Sequence, residues 1–236
     1  MTLPPTSLEQ TSSRVQFMER LSHDMSSLLA SILGYASLVA DHNLGGPDVN
    51  LEVCGQKIVK QTTRLQKLVA DAMAITRITE NQLDLTLAPI RLGALLQAAV
   101  AEAREQSGRE IDYRDESGGC PVPADPLRLR EAFNNLLDNA LKFSAPGAPV
   151  QVSIKINKAG GRAEVRVEDH GIGIAAADLP RLFQPFGRIY SEKTWAITGN
   201  GLGLYIAGEI VARHNGKISV QSLPDQGTAF TINLPL

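Results

Sequence analysis

Between residues 17 and 39 apolar side chains recur alternately three and four positions apart: Met18, Leu21, Met25, Leu28, Ile32, Tyr35 and Val39. That spacing is the a/d seam of a coiled-coil-like helix. Thr6 and Glu9 have capping-box spacing, so the helix starts near Leu8 and runs to about Asp41, a rod of roughly 50 Å at 1.5 Å per residue. Residues 43–48, Asn-Leu-Gly-Gly-Pro-Asp, break it. The alternation returns in Leu51, Cys54, Ile58, Leu65, Leu68, Ala72 and Ile75, with Gln61 as a polar interruption, and predicts a second helix from about Val49 to Glu80. The two make an antiparallel hairpin. Leu29, Val59, Val69 and Met73 lie beside the seams and widen the apolar stripe beyond what two helices cover. A second copy is therefore expected to complete a four-helix bundle.

The pattern then changes character. Residues 81–91 alternate polar and apolar positions around Pro89 and predict a linker and an edge strand. Helices are expected at 92–105, 126–143 and 203–214, and strands at 110–115, 150–156, 162–168, 217–221 and 228–234. Val150, Val152, Ile154 and Ile156 face Ala163, Val165 and Val167 across a hairpin turned at Ala159-Gly160-Gly161, and Phe230, Ile232 and Leu234 point inward on the last strand. Hairpins mixed with helices indicate an α+β two-layer sandwich. The expected division is 1–86 for the helical hairpin and 87–236 for the sandwich.

A length of 236 residues and 43% hydrophobic composition suffice for two cores. The formal charge of -2 gives no electrostatic footprint for nucleic acid or an anionic membrane. Cys54 and Cys120 are too few and too far apart for a disulfide framework or a zinc site, which fits a reducing compartment. No signal pattern opens the chain and the longest apolar run, 28–40, is too short to span a bilayer. A cytosolic, soluble chain is expected, attached to a sensor or membrane region if it is part of something longer.

Four stretches carry candidate chemistry. With Met18 at position a, His23 falls at f, furthest from the seam and held in water; Asp24 follows it and Ser27 lies one turn on along the same side. On the helix 126–143, Glu131, Asn135 and Asn139 share a face away from the apolar Leu129, Phe133, Leu136, Leu137 and Ala140. An amide oxygen is a hard, neutral ligand suited to Mg2+ carrying a triphosphate, and Lys142 can neutralise phosphate. Asp169 ends a strand and can accept from an exocyclic amine, while Gly171 and Gly173 let a flat ring approach the backbone. Residues 182–188, Leu-Phe-Gln-Pro-Phe-Gly-Arg, lead through a polar lid at 189–198 into Gly199-Asn200-Gly201-Leu202-Gly203-Leu204 and a helix, where backbone N–H groups and a helix N-terminus make a phosphate site.

In order and spacing these stretches resemble the catalytic core of bacterial sensor histidine kinases. Residues 23–27 look like the phosphoacceptor box, 135–143 the asparagine box, 169–173 the first glycine box, 183–186 the phenylalanine box and 199–204 the second glycine box; 227–230 match the closing strand motif. The resemblance implies a dimerisation and histidine-phosphotransfer hairpin joined to a Bergerat-type ATP-binding fold shared with Hsp90, MutL and gyrase B. It implies ATP and Mg2+ as cofactors and a site built of Asn135, Asn139, Lys142, Phe143, Asp169, Gly171, Gly173, Phe186, Arg188, Gly199, Gly201, Leu202, Gly203, Leu204 and Thr228. By analogy Asp169 receives the adenine amine with Thr228 helping through water, and Asn139 holds the metal, supported by Asn135 and Glu131. It further implies two-component signalling: a homodimer that phosphorylates itself on His23, with Asp24 as base, and passes the phosphoryl group to an aspartate on a response regulator receiver domain.

Two departures from the family pattern stand in the phosphoacceptor box. Leu28 replaces the usual proline, which predicts a straighter first helix. Ser27 replaces the threonine or asparagine associated with water positioning during regulator dephosphorylation; its hydroxyl still bonds water. Two other readings of the sequence are a nucleotide-binding dimeric scaffold that has lost phosphotransfer, and an ATPase clamp of the Hsp90 or MutL kind. The presence of His23, Asp24, Asn139, Asp169 and the glycine lid speaks against the first, and the second leaves the histidine-bearing hairpin unexplained.

Overall fold

A computed structural model of the chain describes residues 7–40, 50–189, 194 and 199–236. Thr6, the turn at 43–48 and most of the lid at 189–198 lie outside the described residues. The chain divides into two compact units, Met1–Thr79 and Glu80–Leu236.

In the first unit α1, Ser7–Ala40, packs against α2, Leu51–Thr79. α1 runs unbroken through Leu28, which keeps the backbone N–H that a proline there would lack. Leu21 is buried and Met25, Leu28, Ile32 and Tyr35 are half-buried, so the seam lies where its spacing put it. α2 begins at Leu51 rather than near Val49 because Asn50 caps it, its Oδ1 accepting from the N–H groups of Glu52 (3.0 Å) and Val53 (3.2 Å). It ends where Asn81 turns left-handed at φ 54°. The seam's outer residues depart from expectation: Met18 is 59% exposed and Val39 37%. Leu29, Leu33, Val59, Val69 and Met73 are exposed as well. One hairpin gives each helix a single neighbour, so a broad apolar stripe leaves one flank bare.

The second unit is a five-stranded sheet, order β2-β4-β5-β7-β6, under three helices. Its strands are β2 (Ile111–Glu116), β4 (Val150–Asn157), β5 (Arg162–Asp169), β6 (Lys217–Leu223) and β7 (Gly227–Pro235). Its helices are α3 (Leu92–Ser107), α4 (Pro126–Phe143) and α5 (Gly203–Arg213). The apolar rows meet in register: Val152 opposes Val167, which opposes Phe230, and Ile154 opposes Val165, which opposes Ile232. All six are buried, while Gln151, Lys155 and Arg162 on the other side are exposed. Strict alternation thus fixes one wet face and one face covered by helices. β2 pairs with β4 in parallel, the connection passing over the sheet through α4.

A separate ribbon joins β1 (Ala88–Arg91) to β3 (Pro121–Ala124). β3 carries Pro121 and Pro123, residues that argue against a strand in sequence; a ribbon of only two strands has free edges where a missing N–H is tolerated. Asp125 follows it and caps α4, its Oδ1 accepting from Leu127 and Arg128. Burial works against this carboxylate's charge, but N–H donors from Thr86, Arg128 and Leu127 and the Arg128 guanidinium hold its pKa below the usual value. The Thr86 bond to Oδ2 (2.9 Å) and that from Arg213 Nη1 to the Leu83 carbonyl (3.1 Å) fasten the segment entering the unit. His214 Nε2 accepts from Asp125 N–H (3.0 Å) and its Nδ1 lies 2.8 Å from the Ile210 carbonyl, so the proton sits on Nδ1.

Candidate functional site

On α1, His23 projects into solvent with 83% of its side chain exposed, and its Nδ1 lies 3.3 Å from Asp24 Oδ1. Ser27, one turn on, is exposed too. The heptad argument requires this: the f position cannot reach the seam. An Nδ1–H held by a carboxylate leaves Nε2 with a free lone pair facing water.

In the second unit the site starts at the end of β5. Asp169 pairs in the ladder with Thr228 of β7 and is buried, with 4% exposure. Removal from water pushes its carboxyl up to about 6, against the pull of the N–H groups of Gly171 and Thr228. Gly171 N–H donates to Asp169 Oδ1 at 2.9 Å. A Cβ on Gly171 would lie 1.8 Å from the Phe143 carbonyl, and one on Gly173, at φ 62°, would lie 1.9 Å from the Leu223 carbonyl. Neither position has room for a side chain. Gly171→Ala is therefore expected to destabilise the second unit by about 2–4 kcal/mol, read as a lowered thermal midpoint by calorimetry. An unchanged midpoint would mean the backbone there is not clamped.

Ser222 was not among the expected site residues. Its hydroxyl donates to the Gly227 carbonyl (2.8 Å) and accepts from Ile174 N–H (2.8 Å), and lies 2.9 Å from Thr228 Oγ1. With its one proton committed to Gly227, the Thr228 hydroxyl must donate to it, which turns the lone pairs of Thr228 outward as acceptors. A serine in an alternating strand gives no sequence signal of such a role.

On α4, Asn135 is buried and its Oδ1 would lie 2.9 Å from a Cβ on Gly203, the first residue of α5. Asn139 and Glu131 are half-buried one turn to either side, Glu131 holding Arg128 at 3.3 Å. Lys142 is bound to Asp138 at 2.7 Å, a solvated pair it can leave at little cost. Phe143 is half-buried at the helix end. Phe186 takes the left-handed φ of 57°, and a Cβ on Gly201 would come within 3.1 Å of its backbone. Arg188 Nη1 donates to the Gly199 carbonyl at 3.2 Å. The aromatic and second glycine stretches thus meet. Leu202 is wholly buried and its N–H bonds Asn200 Oδ1 (3.2 Å), so it anchors the α5 start in the core; Leu204 is half-buried.

Two family patterns match the chain: the His Kinase A phospho-acceptor domain over residues 13–81, and the histidine kinase-, DNA gyrase B- and HSP90-like ATPase over residues 124–236. The chain carries both domains of a histidine kinase catalytic core. The chain is 29% identical over 235 residues to the cell-division control histidine kinase PdhS of Brucella suis, and equally to that of Brucella abortus. The match covers 94% of the chain but 22% of the relative, so the chain spans about a fifth of the length of the curated relatives it matches. Among solved structures, Acinetobacter baumannii histidine kinase AdeS matches with a TM-score of 0.69 at 22% identity, covering 90% of this chain and 97% of that one. Mycobacterial sensor histidine kinase MprB matches at 0.54 and 29% identity, covering 64% and 97%. Full-length ShkA, solved with AMPPNP, matches at 0.65 and 24% identity, covering 93% and 45%. Among the described residues no helix is long and apolar enough to cross a membrane.

Proposed function

We propose that this chain is an ATP-dependent protein-histidine kinase of two-component signalling that phosphorylates itself on His23. The observation that carries the reading is the exposed His23 imidazole with Asp24 at its Nδ1, in a chain whose other unit holds a buried carboxylate beside clamped glycines. Nε2 attacks the γ-phosphorus; the N–P bond forms as the bond to the β,γ-bridging oxygen breaks and ADP leaves. Asp24 keeps the tautomer and takes the Nδ1 proton that positive charge on the ring acidifies. Asp169 accepts the adenine amine, Thr228 accepts from a bridging water, and the N-terminus of α5 with Gly199, Gly201 and Gly203 faces the phosphates.

The donor set fits Mg2+ rather than a fully protein-bound metal. Among the described residues no three His, Cys, Asp or Glu side chains form a metal cluster, and Asn139 offers a neutral oxygen beside the buried Asn135. Mg2+ takes most of its ligands from phosphate and water, and when bound it would offset charge on the transferring group. Asn139 would hold it, with Asn135 and Glu131 in support.

The bare apolar flank of Leu29, Leu33, Val59, Val69 and Met73 supports a homodimer through the hairpin, and the exposed phosphohistidine would be read by the receiver domain of a response regulator in the cytoplasm. Light scattering at micromolar concentration is expected to give twice the chain mass, and Val59→Glu the chain mass; a monomer before substitution would refute the dimer. Incubation with γ-labelled ATP and Mg2+ tests the kinase reading. Acid-labile, alkali-stable label on the protein supports it, whereas phosphate release without label would favour the ATPase clamp.

A further inference from the structure

α3 ends at Gly108, whose φ of 64° turns the chain and sends the next side chain across to α4. That side chain is Arg109. Its Nη1 donates to the Leu141 carbonyl (2.6 Å), and its Nη2 to Ser144 Oγ (3.2 Å) and to the carbonyls of Ala145 (2.8 Å) and Ala148 (2.9 Å). A guanidinium at the C-terminus of a helix meets both its unpaired carbonyls and the negative end of its dipole. Four acceptors in one fork also fix the path of the loop that follows α4.

That loop is one wall of the Asp169 turn. Ser144 bridges to Gly171, Ala145 N–H donates to the His170 carbonyl (3.4 Å) and Ile172 N–H to the Phe143 carbonyl (3.3 Å). Gly171 N–H in turn holds Asp169 Oδ1. The order of contacts therefore runs from Arg109 to the loop 144–148, to the backbone of residues 170–172, to the carboxylate. We infer that Arg109 is a positioning residue that fixes the Asp169 turn and with it the pocket's preference for a purine bearing a 6-amino group. The inference rests on the proposed adenine role of Asp169.

A carboxylate distinguishes adenine from hypoxanthine only while it is aimed at the amine. Loosening the loop should weaken the amine contact and leave contacts to sugar and phosphates alone, a signature that simple destabilisation of the fold does not give. The test is the affinity of the full chain for ATP and for ITP by titration calorimetry, in wild type, Arg109→Ala, Arg109→Lys and Asp169→Asn. Lysine keeps the charge and stem but not the fork, and is the variant read if alanine fails to fold.

In Arg109→Lys, ATP is expected to weaken by about tenfold and ITP by less than about twofold, the loss of one well-aimed charged hydrogen bond. Equal weakening of both nucleotides, or an ATP preference as large as in wild type, would overturn the inference. If Asp169→Asn abolishes the preference while Arg109→Lys keeps it, only the Arg109 inference fails. If wild type has no preference, or Asp169→Asn retains it, the adenine reading fails and takes the inference with it.

Discussion

Glutamine in place of His23 is expected to reduce protein-bound phosphate to background while leaving nucleotide affinity within about twofold of wild type. The side chain is 83% exposed and its recorded polar partner is the adjacent Asp24, so the substitution removes a nucleophile and not a structural contact. Exposed substitutions of this kind stay within about ±0.5 kcal/mol of stability. The chemical loss is complete, because an amide nitrogen has no lone pair free to attack phosphorus. Asp24→Asn separates orientation from chemistry: the amide can still bond the ring but cannot take its proton, and the labelling rate should fall by about 10²–10⁴ while binding is kept. Label surviving in His23→Gln at the wild-type rate would place the acceptor elsewhere.

The second large effect is a loss of ATP affinity below about pH 6. Burial raises the Asp169 carboxyl to about 6, and an adenine amine needs the ionised form as acceptor. Affinity should be flat above pH 7 and fall as pH drops through 6, by about 10- to 100-fold in all, as the protonated pocket binds more weakly. The sign for folding is opposite. A carboxyl whose pKa rises on folding opposes the fold once it is ionised, so its contribution to stability falls as pH rises from about 4 to about 6 and stays low above that. A bound nucleotide offsets this by donating to the carboxylate. Asp169→Asn should weaken ATP by about 10- to 100-fold at pH 7.5, the range for a hydrogen bond to a charged group, and remove the pH dependence between 5 and 7. Calorimetric titration across pH checks both; an affinity constant from pH 5 to 8 in the wild type would show that the carboxylate does not meet the base.

The sequence carried the fold where one periodicity governs a whole element. The f position of His23 and the inward row of Ile154, Val165 and Ile232 follow from period alone, and both are found so. It carried less where a residue's neighbour is distant in the chain. Nothing near Asn135 announces that its amide abuts Gly203, nothing in Ser222 that it commits its proton to Gly227, and nothing in Arg109 that it spans to Leu141. β3 was hidden for another reason: its prolines speak against strands, and only the two-stranded ribbon makes them harmless. α2 starts at Leu51 because the side chain of Asn50 decides where helical hydrogen bonding begins, a point that apolar spacing alone does not mark.

The ATPase pattern begins at residue 124, at the last residue of β3, yet α3 lies upstream with Leu92, Leu96, Ala99 and Val100 sealed against its neighbours. A fragment started at that border would strip α3 from its packing against α4, sever β2 from the sheet margin and discard Arg109. The smallest self-sufficient nucleotide module is therefore longer than the motif that advertises it, and dissection of this protein should cut near Glu80, where the compact unit itself begins.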